Sequence, residues 1–223
     1  AGRVVPEDTV RGCDSITRGE FCDRPVFREV CRRVTARRGT LHLFGLIGTG
    51  GVHALDRHLF ALIELGSRAG VPRIAIHGAM DGRDTAPTSG RDFVADLVRA
   101  AAGRAVIATL AGRYYTMDRD KRWPRTQLAY DAMMFGTGTP VADPVRAVEE
   151  AYARGETDEF IKPLVVVDGA GRPVAPIRAG DAIICFNFRA DRMRQMVRAW
   201  TDADFAGFDR RGAPLLAVVT TTP

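Results

Sequence analysis

Four short apolar runs, each ending in glycine-rich, polar or charged segments, constrain this chain more than any other feature. They are "TLHLFGLI" (40–47), "RIAIHGAM" (73–80), "AVIATLAG" (105–112) and "DAIICFNF" (181–188). Runs of this length with little apolar–polar alternation read as strands buried on both faces. Helical patterns lie between them. In "LDRHLFALIELGSRAG" (55–70), Leu55, Leu59, Leu62, Ile63 and Leu65 form an apolar stripe and Gly70 suits the stop. "SGRDFVADLVRAAAG" (89–103) is the next helix, and another covers most of 120–135. "DPVRAVEEAYARG" (143–155) has Asp as N-cap, Pro at the first helical position and Gly at the end. The densest basic stretch, "RRVTARRG" (32–39), reads as the solvated face and last turn of a further helix.

After residue 160 the pattern changes. "LVVVDGAGRPVAPI" (164–177) reads as two short strands around a glycine-containing turn, a β-hairpin. "DRMRQMVRAW" (191–200) is helical and "APLLAVVT" (213–220) is a last strand. Strands alternating with helices predict an α/β fold: a three-layer sandwich in which helices flank a mostly parallel sheet, with a hairpin excursion at 164–177. The 223 residues are expected to form one domain. The chain stops just after a strand, at "TTTP", which reads as a cut rather than a tail.

In open α/β sheets ligands bind beyond the carboxyl ends of the strands. Here each of the four main runs delivers polar groups at that end. They are His53 in "GTGGVH", Asp81, Arg83 and Asp84 in "DGRDT", Arg113 and Arg119 in "GRYYTMDRDKRW", and Arg189 and Arg192 in "RADR". Each motif alone has a plain structural explanation. "GTGGVH" lacks the G-K-[ST] of a P-loop and suits a tight turn, Asp81 and Asp84 can cap a turn, and Arg119, Lys121 and Arg122 can open a solvated helix. His42, His58 and His77 fall inside strand or helix patterns and are assigned structural or surface roles. Turn chemistry poorly explains four strand ends that all supply polar, largely cationic groups.

Guanidiniums gathered in a cleft repel one another and lose solvation. A small ligand with more than one negative charge relieves both costs, and arginine's planar fork fits phosphate and carboxylate bidentately. A helix opening near 190 adds its N-terminal amides. Arg189 and Arg192, three apart, can then reach the same anion, whereas Arg194 falls outside the site. Asp84, the carboxylate amid these arginines, can accept a proton from a substrate hydroxyl. The residues thus predict a pocket for a small, multiply anionic hydroxyl compound.

Other classes are excluded on composition and charge. No apolar run approaches the roughly 18 residues a membrane helix needs. The start, "AGRVVPEDTVRGCDS", lacks the apolar segment of a signal peptide, so a cytoplasmic protein is expected. Cys13, Cys22, Cys31 and Cys185 show no metal-ligand spacing and are expected to be free thiols. A net charge of +5 raises nucleic acid as a partner. The arginines sit at strand ends rather than along one stripe, so no nucleic acid and no membrane partner is expected.

Five motifs, "LHLFGLIGTGGVH", "DGRDTAP", "GRYYTMDRDKRW", "YARGETDEFIKP" and "FNFRADRMRQ", together resemble the cofactor-independent (2,3-bisphosphoglycerate-independent) phosphoglycerate mutases. The match is collinear over nearly the whole chain but covers one of that family's two domains. The family joins an alkaline-phosphatase-like domain, holding two divalent metal ions (usually manganese) and a phosphorylatable serine, to an inserted substrate-binding phosphotransferase domain. The resemblance makes this chain the inserted domain, with the metal-binding domain covalently linked in the parent protein and absent here.

It further implies that the parent, a monomer, interconverts 3-phosphoglycerate and 2-phosphoglycerate through a phosphoserine on the other domain. By the same resemblance His53, Arg83, Asp84, Arg113, Arg119, Arg189 and Arg192 are substrate-binding positions, with Asp84 the proton acceptor and donor. No cofactor or metal is expected in this chain, and alone it should not turn over. The family usually reads S-D-G-G-V-H-S-H where this chain has "GTGGVHAL", with Gly48, Thr49, Ala54 and Leu55 replacing Ser, Asp, Ser and His. Pro124 stands where an aspartate is common. The altered loop motivates a second reading, a paralogue that binds a phosphorylated acid without catalysis.

Overall fold

A computed structural model describes residues 7–221. The first six residues of the chain start and the last two of "TTTP" lie outside the described residues. The four main apolar runs form β1 (Thr40–Leu46), β2 (Arg73–Met80), β3 (Val106–Gly112) and β6 (Ala182–Cys185). All are buried almost end to end, as strands covered on both faces must be. With β4 (Thr139–Val141), β5 (Leu164–Val166) and β7 (Ala217–Thr220) they make a seven-stranded sheet ordered β4-β5-β3-β2-β1-β6-β7. β1, β2, β3, β6 and β7 are mutually parallel, whereas β5 runs antiparallel to β3 and carries β4 parallel to itself.

The helices are α1 (Asp8–Thr17), α2 (Pro25–Ala36), α3 (Asp56–Arg68), α4 (Gly90–Ala101), the single turn α5 (Arg113–Thr116), α6 (Trp123–Phe135), α7 (Pro144–Ala153) and α8 (Arg194–Thr201). From β1 the chain winds through α3 to β2 and through α4 to β3, and from β6 through α8 to β7 on the opposite side of β1. Right-handed crossovers running in opposite directions place α3 and α4 on one face and α8 on the other. α6 packs against α8, and α7 against α4, completing the two outer layers. The winding reverses between β1 and β6, so a crevice opens there beyond the strand ends.

One expectation is refined and one corrected. The hairpin expected at 164–177 is present but short: its first arm, β5, also lies in the sheet between β3 and β4, and the return arm pairs with it through the antiparallel bridge Val167–Pro173, with Asp168 N donating to Arg172 O at 2.9 Å and Val174 N to Val166 O at 3.0 Å. Pro173 and Pro176 have no N–H to donate, so the return arm does not extend into a further strand of the sheet. The helix expected at 191–200 begins only at Arg194, after a 3-10 turn at Ala190–Arg192. Arg189 and Arg192 therefore sit on a tight turn rather than on an α-helical face, and Arg194 lies outside the cleft described below. The expected cap of α7 is present: the Asp143 carboxylate accepts from Val145 N and Arg146 N at 2.9 and 3.2 Å, with Pro144 in the first turn.

A polar chain crosses the middle of this apolar sheet. His42 on β1 and His77 on β2 are wholly buried, Nδ1 of the first 2.9 Å from Nε2 of the second. His77 Nδ1 lies 2.8 Å from Thr109 Oγ1 on β3, beside an irregularity in the β2–β3 register. His42 Nε2 lies 3.2 Å from Asp181 Oδ2, just before β6. A carboxylate only accepts, so His42 carries its proton on Nε2, accepts at Nδ1 from His77 Nε2–H, and His77 accepts from the Thr109 hydroxyl. One proton order satisfies every member with both histidines neutral.

An added proton breaks a link in this chain. Burial holds His42 below the ordinary histidine range and His77 well below it. Burial also lowers His53 and His58, each to about 4. All four histidines of the chain thus resist protonation when folded and accept it near pH 6.5 when unfolded. Their contribution is complete above that pH and is lost as pH falls through it. Burial raises Asp56 and Asp158, which works the other way with two groups against four. The melting temperature should hold steady between pH 8 and 7 and fall progressively between about pH 6.5 and 4.5. Calorimetric scans across that range check this, and a melting temperature unchanged down to about pH 4.5 contradicts it.

Candidate functional site

The parallel strand ends converge around Arg113, the first residue after β3. Its guanidinium is 5% exposed, yet it meets two carboxylates and an imidazole. Nη1 donates to Asp81 Oδ1 at 2.6 Å and to Asp84 Oδ2 at 2.7 Å, both from the β2 end. Nη2 lies 2.7 Å from His53 Nε2, from the β1 end. Burial works against the charge on Arg113, but the bonds from Asp84 and Asp81 outweigh it and raise its pKa.

A guanidinium has no lone pair to accept with, so His53 Nε2 must accept and the ring proton sits on Nδ1. Burial lowers His53 to about 4, with the charges of Arg113, Arg189 and Arg192 in the same direction, so it is neutral at physiological pH. Its Nδ1, and Nε of Arg192, are buried without a hydrogen-bond partner among the described residues. These are donors aimed at nothing in the protein, a costly state that a bound acceptor removes.

Local sequence explains the convergence. The "GTGG" loop passes directly over the two aspartates: a Cβ on Gly50 would sit 3.1 Å from the Asp84 carbonyl oxygen and 3.3 Å from Asp81 Oδ2. A side chain on Gly112 would collide with the Glu159 carbonyl, so only glycine lets the 156–161 segment close on the end of β3. That segment puts Asp158 at the start of α4, where it accepts from Gly90 N at 2.8 Å and from the Tyr152 hydroxyl. The loops after β1 and β6 are tied to each other by Phe188 N donating to His53 O at 2.6 Å, across the reversal point of the sheet.

Beside Arg113 lies a cleft of about 190 Å³. Of the expected residues, Arg83, Arg113, Arg119 and Arg192 line it. Arg83 reaches Glu159 at 3.5 Å, Arg119 donates to Asp191 Oδ2 at 3.0 Å, and Arg192 donates to the Met117 carbonyl at 3.1 Å. Arg189 stands off the cleft wall but shares Asp191, at 3.7 Å. Burial first, then repulsion from Arg119 and Arg113, holds Arg192 below the ordinary arginine value. Asp84 and His53 lie behind the wall, their Oδ2 and Nε2 3.5 Å apart.

Sequence reasoning missed several members. Arg122 and Arg125 line the cleft, and Arg125 stacks 3.8 Å over the Tyr114 ring. Asp118 is buried and accepts from Gln195 Nε2 at 2.9 Å and from Arg122 N at 2.9 Å. Asp81 caps its turn as expected, accepting from Arg83 N and Asp84 N at 3.2 Å, and in addition takes the Arg113 guanidinium. The signal for Asp118 was its place in the dense polar run "TMDRDKRW". His58, assigned a structural or surface role, is wholly buried, and Leu55 N donates to its Nδ1 at 3.3 Å.

No group of three or more His, Cys, Asp or Glu is placed to hold a metal ion among the described residues. No helix among them is long and apolar enough to cross a membrane. The four cysteines are free.

Comparison with known proteins agrees with this architecture. Residues 13–223 match the family model described as BPG-independent PGAM N-terminus. A 2,3-bisphosphoglycerate-independent phosphoglycerate mutase of Thermomicrobium roseum is 52% identical over 215 residues, covering 94% of this chain and 41% of the relative. The corresponding mutase 1 of Methanosarcina barkeri is 46% identical, covering 96% of this chain and 42% of its own. The crystal structure of Leishmania mexicana phosphoglycerate mutase at low cobalt concentration superposes with a TM-score of 0.93 at 33% identity, over 99% of this chain and 42% of that one. This chain spans about two fifths of the length of these relatives.

Asp81 is almost wholly buried and depends on Arg113 for its charge partner. Arg113→Met should therefore cost about 3–5 kcal/mol, the usual penalty for a carboxylate stranded in an interior. The double variant Arg113→Met/Asp81→Asn should recover a good part of it. Urea unfolding of both variants checks this, and equal destabilisation would show that Arg113 does not act through Asp81. His53 should remain neutral from pH 8 to 5.5, which NMR titration of its imidazole nitrogens reads directly.

Proposed function

The chain belongs to the family of N-terminal domains of the BPG-independent phosphoglycerate mutases, and from that premise we propose that it is the half of such an enzyme that binds and orients a phosphoglycerate. In the whole protein, 3-phosphoglycerate and 2-phosphoglycerate are interconverted by passing the phosphoryl group to a serine on the other half and back to the other hydroxyl. Within this half, the cleft arginines Arg83, Arg119 and Arg192, with Arg189 at the edge, hold the phosphate and carboxylate. Their crowding is the observation that carries the reading: burial and then its cationic neighbours hold Arg192 below the ordinary arginine value, and its Nε has no partner among the described residues. A ligand with two anionic ends supplies what they lack.

Asp84 is the proton acceptor and donor for the glycerate hydroxyls. Arg113 holds one of its oxygens and His53 stands 3.5 Å from that same oxygen, so the carboxylate is oriented from behind. His53, neutral with its proton on Nδ1, donates a hydrogen bond rather than a charge. The residues present do not fit a metal centre, so no metal-assisted step is assigned to this chain, and the metal ions and the serine belong to the rest of the parent protein. By itself the chain binds without turning over. Gly48 and Thr49 do not remove the loop's hold on the site, since Gly48 N still donates to Asp56 Oδ1 at 2.6 Å and Gly50 still lies over Asp84.

Calorimetry should show 3-phosphoglycerate binding to this chain and a roughly tenfold or greater loss with Arg192→Ala, the worth of one charge-assisted contact. Equal affinity in the two proteins would remove the cleft from the reading. In the longer protein, Asp84→Asn should leave substrate binding nearly intact while lowering kcat by about 10²–10⁴, the usual contribution of a general base. A matching loss in KM and an unchanged kcat would make Asp84 a binding residue only.

A further inference from the structure

The densest basic stretch of the sequence, residues 32–39, takes no part in the site at the carboxyl ends of the strands. Its last two arginines lie at the opposite edge of the sheet. There a cleft of about 580 Å³ opens between the α2–β1 turn, the start of β2 and the 168–181 segment. Arg37, Arg38, Arg73, Arg172 and Arg178 all line it. Among the described residues the guanidiniums of Arg37, Arg38 and Arg178 have no hydrogen-bond or ion-pair partner. The other two are held in place, Arg73 by the Val174 carbonyl and Arg172 by Asp168 at 2.9 Å.

The carboxylates of the lining do not balance this charge. Asp168 is committed to Arg172. Asp181 is committed inward: it accepts from Thr40 N at 2.7 Å and from Arg178 N at 2.8 Å, and it ends the buried histidine chain at His42. Three guanidiniums are left uncompensated around one concavity, where they repel each other unless an anion lies between them. Arg38 holds its place at a cost, with φ of 52° in the left-handed region that glycine fills most easily at a helix end.

We propose that this cleft is a second anion site, one that takes a small ligand bearing two or more phosphate groups. Its volume is that of a metabolite pocket. Each free fork offers paired N–H donors, and three of them together call for a ligand with several oxygen-rich anionic groups, as a diphosphate has, rather than one carboxylate. The charge gathers around one half-open concavity, on exposed arginines, instead of running along a stripe, which suits a small ligand and not a nucleic-acid backbone. The seven residues of β1, about 20 Å of strand, separate it from the phosphoglycerate cleft, so both can be filled at once.

Titration of the isotope-labelled chain with inorganic pyrophosphate, followed by amide NMR shifts, tests this. Amides of residues 37–40 and 178–181 should respond, and should still respond in Arg119→Gln/Arg192→Gln, which cripples the other cleft. In Arg37→Gln/Arg178→Gln, whose guanidiniums have no hydrogen-bond or ion-pair partner among the described residues, that response should weaken by roughly tenfold or more while the remaining amide spectrum is unchanged. Shifts confined to residues around Arg113 and Arg192, or an undiminished response in Arg37→Gln/Arg178→Gln, would overturn the proposal.

Discussion

The buried guanidinium of Arg113 is the interaction on which the rest of the site depends. A charge with 5% exposure survives only if its partners are close and fixed, and here they come from different strand ends. Asp81 and Asp84 reach it from β2, His53 from β1, and Arg113 itself follows β3. The parallel alignment of these strands is what lets three short contacts form without strain in the loops. Arg113 also dictates the tautomer of His53, because a guanidinium can only donate. One cation thereby sets the orientation of the proposed base and the direction of the proposed histidine donor.

The same sheet carries a second ordered polar system lower down. Thr109, His77, His42 and Asp181 form a chain whose proton order is fixed from its carboxylate end. It spans β3, β2, β1 and the residue before β6, the strands that carry the candidate site above it. Both systems put buried polar groups where hydrophobic side chains would be easier to accommodate; the histidine chain pairs every member, whereas the Arg113 system leaves His53 Nδ1 without a partner among the described residues, at a cost. They share a vulnerability to acid for the same reason, since their histidines are neutral by burial.

Much of this was legible from residue order alone. The apolar runs marked the buried parallel strands, because a strand covered on both faces has no polar side to betray its period. The charged clusters at their ends marked the edge where the candidate site assembles. At 164–177 the turn and its short return arm were legible, but two apolar pieces around a glycine do not show whether the first also pairs with distant strands. Here β3 and β4 had already claimed β5. The start of α8 was placed three residues early, since nothing local distinguishes a 3-10 turn at Ala190–Arg192 from the first turn of a helix.

The sequence by itself determined which residue types arrive at the strand ends, and hence that the edge would be rich in cations. Only the tertiary structure decided how that charge is apportioned. It buried Arg113 between two carboxylates and left Arg192 crowded by cations, and it spent Asp181 on the histidine chain while Arg37, Arg38 and Arg178 stayed unpaired. Local pattern reports periodicity and chemistry, which are properties of neighbours along the chain. Pairing and desolvation depend on which distant groups share a few ångströms, and that is settled only when the sheet brings its edges together.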